Sequence, residues 1–339
     1  MSDRIITAER LTDITVNLFE TCGVSRDHAE KATRIMVLTS LRGVDTHGIR
    51  LLPYNLRRLV GGGAKVNPDI RTVSAAGPIE IMDGDWGLGF LCGTVAMERA
   101  VEIAREQAIG WVTIRESNHY GASGTFCMLA VEQGMIGLSL TNTPPNMHIA
   151  GGISRSIGNN PMAIGAPGPD FPVVLDMAMS VVAGSKIGQA SKAGKPIPPE
   201  WFLKSPDGKT VFRPFAGPKG SGLAIMIEIL TAVLGGGAVL SQQGGAGFNK
   251  QVADGCSHTQ IAIDLRKLIP ADEYDDHMRF LVNELHEAET APGVDEIRLP
   301  GERTWKAYQE RIVSGIPIST DVIDAIDEAA SEVDVSIDW

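Results

Sequence analysis

Apolar side chains recur three and four positions apart at Leu11, Ile14, Leu18 and Cys22, so residues 8–22 are expected to form a helix with Thr7 as its N-cap. The same spacing returns over residues 26–41 behind Ser25. A third helix is expected over residues 47–60, stopped by Gly61-Gly62-Gly63. The opening 60 residues thus read as a helical unit with no strand. The period then shortens to two. Ile79-Glu80-Ile81-Met82-Asp83 alternates as a strand does, and Gly84-Asp85 turns the chain. Residues 93–107 return to helical spacing with Val95, Ala96, Ala100, Val101 and Ala104 inward; a strand at 111–114 and a helix at 122–133 follow. Three strand-like runs, 136–140, 162–164 and 173–175, then succeed one another with no helix between them. That order argues against a doubly wound fold and for an antiparallel or mixed sheet.

The segment from 184 to 215 is rich in Gly, Pro and Lys, and its Ser205-Pro206-Asp207-Gly208 is a turn, read as a small hairpin. Residues 222–240 form the most apolar run. Glu228 and Gly235-Gly236-Gly237 within it are poor company for a bilayer, so it reads as a buried helix running into a glycine-rich loop, 235–247. A strand at 259–265, a helix at 271–289, a strand at 296–299 and helices at 303–313 and 320–331 complete the pattern. Residues 333–339 alternate as an edge strand would, with a frayed end as the alternative.

With 339 residues, 43% hydrophobic and 21% charged, the chain can bury a large core, and wholesale disorder is excluded. Its 38 glycines are about one residue in nine, against an ordinary share of about one in fourteen, and point to places where backbone approaches a ligand closely. A net charge of −11 argues against a nucleic-acid or anionic-membrane partner. Seven acids and no Lys or Arg lie between residues 319 and 339, so the body of the chain is only mildly acidic. Cys22, Cys92, Cys127 and Cys256 form no C-x-x-C pair, and Met1-Ser2-Asp3-Arg4 leads into a polar amphipathic segment; a cytoplasmic protein with reduced thiols is expected.

The common catalytic signatures fail. Gly87-Leu88-Gly89 with Gly93 has the wrong spacing for a dinucleotide fingerprint, and Gly208-Lys209-Thr210 has Leu203 where a phosphate loop needs its first glycine. H-E-x-x-H and a plausible G-x-S-x-G elbow are absent, and no cluster has metal-ligand spacing. Five polar stretches remain: Leu41-Arg42-Gly43-Val44-Asp45-Thr46-His47-Gly48, Ser117-Asn118-His119-Tyr120-Gly121, Ile157-Gly158-Asn159-Asn160-Pro161, Leu175-Asp176-Met177-Ala178-Met179-Ser180, and Gly217-Pro218-Lys219-Gly220-Ser221-Gly222. The last, a lysine among glycines opening a helix, is built like an anion site. Each stretch also has a plain structural reading; Asp45 or Thr46, for instance, could cap the following helix.

Together, and in this order, the five stretches resemble the malate/L-lactate dehydrogenase family that lacks a Rossmann fold, over roughly residues 5–316. That family includes ureidoglycolate, sulfolactate and diketogulonate oxidoreductases and a piperideine/pyrroline-2-carboxylate reductase. The resemblance implies an α/β fold with a mixed, largely antiparallel sheet and flanking helices. It also implies a helical domain from both chain ends (1–72 and 302–339) and a cofactor-binding domain (73–301) with a substrate-side subdomain. It implies a homodimer using NAD or NADP on a small 2-oxo or 2-hydroxy carboxylate. His47 would be the acid/base, a role that suits a group titrating near ~6.5. Arg42, Thr46, Arg50 and His119 would meet the substrate, and His119, Thr143, Leu175, Asp176, Met177, Ala178, Lys219, Gly301, Glu302 and Arg303 the cofactor.

The chain departs from the family in two places. The family commonly carries an arginine four residues after the catalytic histidine, suited to hold a carboxylate bidentately; here Leu51 stands there and Arg50 one residue earlier. The segment from Lys209 into Gly217-Pro218-Lys219-Gly220 is also shorter than in relatives. Two alternatives follow: a reductase of a cyclic imino acid, or a family member that binds without catalysis. Against the second stand His47, His119, Asp176 and Lys219, all present.

Overall fold

The structure, a computed structural model, describes residues 3–182, 184, 187, 194, 196–244 and 250–339. Strand β1 (Arg4–Ile6) precedes α1 (Ala8–Thr21), which Thr7 caps by accepting the Arg10 amide at 3.2 Å. Helix α2 (Arg26–Leu41) turns Ala29, Ala32, Ile35 and Met36 inward. The third helix starts later than its spacing predicts. Gly48, at ψ −128°, is outside helical geometry, and a 3-10 turn (Ile49–Leu51) leads into α3 (Leu52–Val60), where Pro53 presets the first turn. His47 therefore sits in a loop.

Strands β2 (Arg71–Ala76) and β3 (Ile79–Asp83) form a hairpin, α4 (Gly89–Gln107) crosses over to β4 (Ile109–Ser117), and α5 (Ser123–Val131) leads to β5 (Met135–Thr141), β6 (Met162–Ala166) and β7 (Val173–Met177). The expected small hairpin is β8 (Phe202–Lys204) with β9 (Thr210–Phe212). Helix α6 (Pro218–Glu228) continues as a π-helical turn (Ile229–Val233). After β10 (Cys256–Asp264) come α7 (Ala271–His286), α8 (Glu302–Ser314), β11 (Ile316–Ile318) and α9 (Thr320–Ser331).

Seven strands form one sheet in the order β2-β3-β4-β10-β5-β6-β7, in which only β3 and β4 run parallel. The fold is thus the mixed, largely antiparallel α/β arrangement expected. Helices α4 and α5 lie side by side on one face with α2 behind them, while α6 and its π turn cover the middle of the other. One apolar core runs from α1 and α2 through α4 into β4 and on to α9; a smaller one, with Leu140, Met147, Ile157, Met179 and Ile227, lies beneath α6.

Several expectations are corrected. The opening segment does contain a strand: β1 pairs antiparallel with β11, joining the two ends of the described chain. Residues 296–299 are not a strand; they alternate in a mostly exposed connection that meets β7 through one bond, the Val174 amide on the Pro300 carbonyl at 3.0 Å, and forms no ladder with it. The apolar run from 222 is not buried all round. Leu223, Ile225, Met226, Ile229, Val233 and Leu234 are 41–53% exposed, because α6 turns only a narrow face, including Ala224, Ile227 and Glu228, to the protein. Its glycine loop is described to Gly244; residues 245–247 lie outside the described residues. The last residues neither pair as a strand nor fray: the Trp339 indole donates to Asp327 Oδ1 at 2.8 Å, and Val335, Ile337 and Trp339 pack on the large core. Among the described residues, no helix is long and apolar enough to cross a membrane.

Candidate active site

The loop after α2 is held from three sides. Arg311, on α8, donates to the Ser40 carbonyl at 2.6 Å and pairs with Asp45, while Ser40 Oγ accepts the Ile49 amide at 3.0 Å. A β-carbon on Gly48 would lie 2.2 Å from Ser40 Oγ, so only glycine lets the loop pass. Neither Asp45 nor Thr46 caps a helix. Asp45 faces Arg311, and the Thr46 hydroxyl lies 2.7 Å from His47 Nδ1, where it fixes the ring and leaves Nε2 free to act.

The second histidine follows β4. Asn118 donates to the Trp86 and Gly87 carbonyls at 3.0 and 2.8 Å and accepts the Asp254 amide at 2.9 Å. Asp254 in turn accepts the His119 amide at 2.9 Å and is held by Arg58, which is fully buried on α3. The His47 and His119 rings stand 6.1 Å apart, tilted by 33°. Burial chiefly, and His119 secondarily, push His47 down to about 4; burial lowers His119 too, against the pull of Asp254. Both rings are neutral at pH 7.

These histidines line a cavity of about 550 Å3 together with Thr46, Ser123, Thr143, Asn159, Asp176, Met177, Ala178 and Arg303. A neighbouring cavity of about 450 Å3 shares Val44, Asp176 and Arg303 and adds Arg42, Leu175, Arg298, Gly301 and Thr304. Each has the size of an ordinary ligand site, ~300–1,000 Å3. Thus Thr46, His47, His119, Thr143, Asp176, Met177, Ala178 and Arg303 come together, with Arg42, Leu175 and Gly301 next door. Arg42 is almost fully buried and donates to Thr304 Oγ1 at 2.8 Å.

Three expected residues lie elsewhere. Arg50 reaches Asp321 at 3.1 Å and Ser319 at 3.3 Å and lines a separate cavity, because its place on the 3-10 turn aims it at α9. Lys219 is exposed at the start of α6, outside the lining of both cavities, and Glu302 pairs with His286 on α7. Sequence reading missed Arg58 and Asp254, and gave Glu228 no part in the site. Buried partners far apart in sequence leave no local pattern.

The groove suits a dinucleotide. His119 Nδ1 is buried without a hydrogen-bond partner, a ring nitrogen left over for a ligand. The Gly124 amide donates to Asp176 at 2.9 Å where a β-carbon would crowd the carboxylate, and Gly301, at φ +102°, passes so close to Pro172 that a β-carbon would lie 2.4 Å from its carbonyl oxygen. The backbone is thus bare along the groove. Among the described residues, no group of three or more His, Cys, Asp or Glu is placed to hold a metal ion.

Superposition puts the fold among dehydrogenases without a Rossmann domain. The TM-score is 0.88 against malate dehydrogenase from Pyrococcus horikoshii OT3, at 29% identity with 99% of each chain covered. It is 0.89 against sulfolactate dehydrogenase from Methanocaldococcus jannaschii, at 31% identity with 98% of each covered. The chain belongs to the malate/L-lactate dehydrogenase family, whose profile residues 6–327 match. In sequence it is 32% identical to the malate dehydrogenase of Pyrococcus horikoshii, over 96% of this chain and 95% of that protein. It is 31% identical to the (2R)-3-sulfolactate dehydrogenase (NADP(+)) of Chromohalobacter salexigens, over 91% and 93%. It is an oxidoreductase of the 2-hydroxy acid dehydrogenase class, in a family that works with nicotinamide cofactors.

Proposed function

We propose that the protein is an NAD(P)-dependent dehydrogenase of a small, malate- or lactate-like 2-hydroxy carboxylate. The observation that carries this reading is the convergence of His47 and His119 on one cavity with Thr143, Asp176, Met177, Ala178 and Arg303. A nicotinamide held in this groove would supply the hydride to, or accept it from, C2 of the substrate. His47, neutral and oriented by Thr46, takes the hydroxyl proton during oxidation and returns it to the same oxygen during reduction. His119 presents its unpartnered Nδ1 to the ligand beside it. Arg303 is the one arginine or lysine among the described residues that lines the His47 cavity, and it meets the carboxylate. Leu175, Asp176 and Gly301 would border the cofactor's remaining length, with Arg42 and Arg298 as cations for its phosphates.

The helical unit, 1–72 and 302–339, supplies Arg42, Thr46, His47 and Arg303, and the unit 73–301 supplies the rest, so catalysis takes place at their junction. The exposed apolar side of α6 supports a homodimer, and four free thiols support a cytoplasmic setting. A second reading, with His119 as the acid/base, is favoured by its unpartnered nitrogen.

The experiment is a screen at 340 nm of malate, lactate, sulfolactate and ureidoglycolate with NAD+ and NADP+, and of pyrroline-2-carboxylate with NADH and NADPH, on wild type, His47→Ala and His119→Ala. Turnover on a hydroxy acid that falls at least ~100-fold in His47→Ala with dinucleotide binding retained supports the proposal. An unchanged His47→Ala removes that residue from the mechanism. Turnover on the imine alone replaces the substrate class, and none with any pair overturns the reading.

A further inference from the structure

Glu228, at the end of α6, is 4% exposed. No cation pairs with it among the described residues. Its carboxylate accepts from three neutral donors: Asn142 Nδ2 at 3.2 Å and the Leu240 amide at 2.9 Å on Oε1, and Asn160 Nδ2 at 2.8 Å on Oε2. A buried carboxylate is costly unless its lone pairs are well used, and directly after it the helix widens into the π turn, a distortion common at functional sites.

Both asparagines are committed at each end. Asn142 Oδ1 accepts the Ser257 amide at 2.8 Å while its Nδ2 also donates to Ala238; Asn160 Oδ1 accepts the Thr143 amide at 2.9 Å while its Nδ2 also donates to Ala224. Neither amide can flip without setting donor against donor. Asn160 has φ +20° and is fully buried. Next to it, Asn159 Oδ1 accepts the Thr143 hydroxyl at 3.0 Å and Asn146 Nδ2 at 3.0 Å. Thr143 and Asn159 line the cavity of the two histidines, whereas Glu228 lines neither cavity.

We infer that Glu228 is a positioning residue: through Asn160 it fixes Thr143 and Asn159 as the cavity wall toward which the dinucleotide binds. The inference rests on the function proposed above for the nature of that ligand. The site demands an acceptor-only group. A glutamine at 228 with its oxygen in the Oε1 place turns its NH2 on Asn160 Nδ2, and the reverse orientation turns it on two donors at once.

The donor pattern also dictates the test. Glu228→Gln puts a donor against Asn160, Asn160→Asp puts two carboxylates in contact, and Glu228→Gln with Asn160→Asp restores one donor facing one acceptor. The double variant keeps an acceptor for the Thr143 amide, but turns a carboxylate oxygen on the Ala224 carbonyl, so one of the two mismatches created by Asn160→Asp remains. Two readouts are taken on each full-length protein: amide hydrogen exchange of residues 142–147 and 157–161 without ligand, and the dissociation constants of NADH and NADPH by fluorescence.

Each single variant is expected to raise exchange in those two segments, with α9 unchanged, and to weaken dinucleotide binding roughly tenfold or more. The double is expected to lose at least roughly tenfold less binding than the two single losses combined, with exchange below that of Asn160→Asp. Losses that add in the double, or exchange that rises equally throughout the chain, overturn the inference. A wild type that binds neither dinucleotide refutes the functional reading instead, and exchange in the ligand-free protein still decides the part played by Glu228.

Discussion

Replacing Gly89 with alanine should damage catalysis more than it damages the fold. Helix α4 begins at this residue, and a β-carbon there would lie 2.1 Å from the Asn118 carbonyl oxygen, 2.4 Å from that of His119 and 2.5 Å from the His119 carbonyl carbon. All three are backbone atoms, so no side chain can swing aside. Restoring ordinary contact requires a shift of about 1 Å. Helix α4 is packed on β4, β10 and α2 and cannot withdraw, and Asn118 is pinned by its three side-chain hydrogen bonds, so the displacement falls on His119. Overpacking of this kind costs about 1–3 kcal/mol, while a misplacement of about 1 Å at a reacting site costs on the order of a hundredfold in rate. Urea unfolding gives the first quantity and kcat/KM the second. Gly222→Ala is the control, because nothing lies within 4 Å of its β-carbon position and its φ is not positive; it should be neutral or stabilising by up to ~1 kcal/mol. A Gly89→Ala protein within about 0.5 kcal/mol of wild type and with unchanged kcat/KM would refute the reasoning.

Arg303→Gln should raise the KM of the carboxylate substrate tenfold or more, on the order of one charge-assisted contact, and leave the melting temperature nearly unchanged. Arg50→Ala, whose guanidinium is engaged by Asp321 and Ser319, should leave the same KM within about twofold; a larger rise would return Arg50 to the substrate site. Stability should also fall in acid. His258 is fully buried between Thr141 and Ser117, and burial pushes it down to about 3, so the folded protein binds fewer protons than the unfolded chain. Its contribution is complete above pH ~6.5 and is lost toward pH 3 with a slope approaching ~1.4 kcal/mol per pH unit. His47 adds to this slope down to about pH 4. Urea midpoints between pH 7.5 and 4.5 should show it, and His258→Gln should flatten it; an equal slope in that variant would show that His258 does not carry the proton difference.

Helices α1, α2 and α9 were legible because each turns an apolar face to a core behind Thr7, Ser25 or Ser319, whereas α5, buried nearly all round, and α8, with no buried residue, were legible only as apolar or polar runs between glycines. Strands β1 and β11 were not. Each is three residues long, one contains Pro317, and their only stabilising partner is some 310 residues away in the chain. Strand β2 is exposed along its whole length and so has no alternation to read, whereas residues 296–299 alternate without forming a ladder. The two histidines were legible as polar clusters beside glycines and Asp176 as an acid ending an apolar strand, whereas Thr143 came only with the family resemblance. The direction of a side chain was not legible. Arg50 had the right chemistry in the right stretch, but the 3-10 turn aims it at α9; Lys219 stands exposed at the start of α6, outside the lining of both cavities. Gly89, dismissed with a failed phosphate motif, proved to be a point of close backbone approach.

The contact of Arg311 with Asp45 and the Ser40 carbonyl also bears on how the protein is made. During synthesis the His47 loop leaves the ribosome well before the helix that clamps it. At ~5–20 residues per second the interval is tens of seconds. Throughout that time β1 lacks β11, α3 lacks the Glu328 and Glu332 partners of Arg57, and the loop lacks its guanidinium. The nascent chain therefore carries the His47 loop unassembled until the C-terminal helices arrive, and the cavity of the two histidines is among the last features the polypeptide completes.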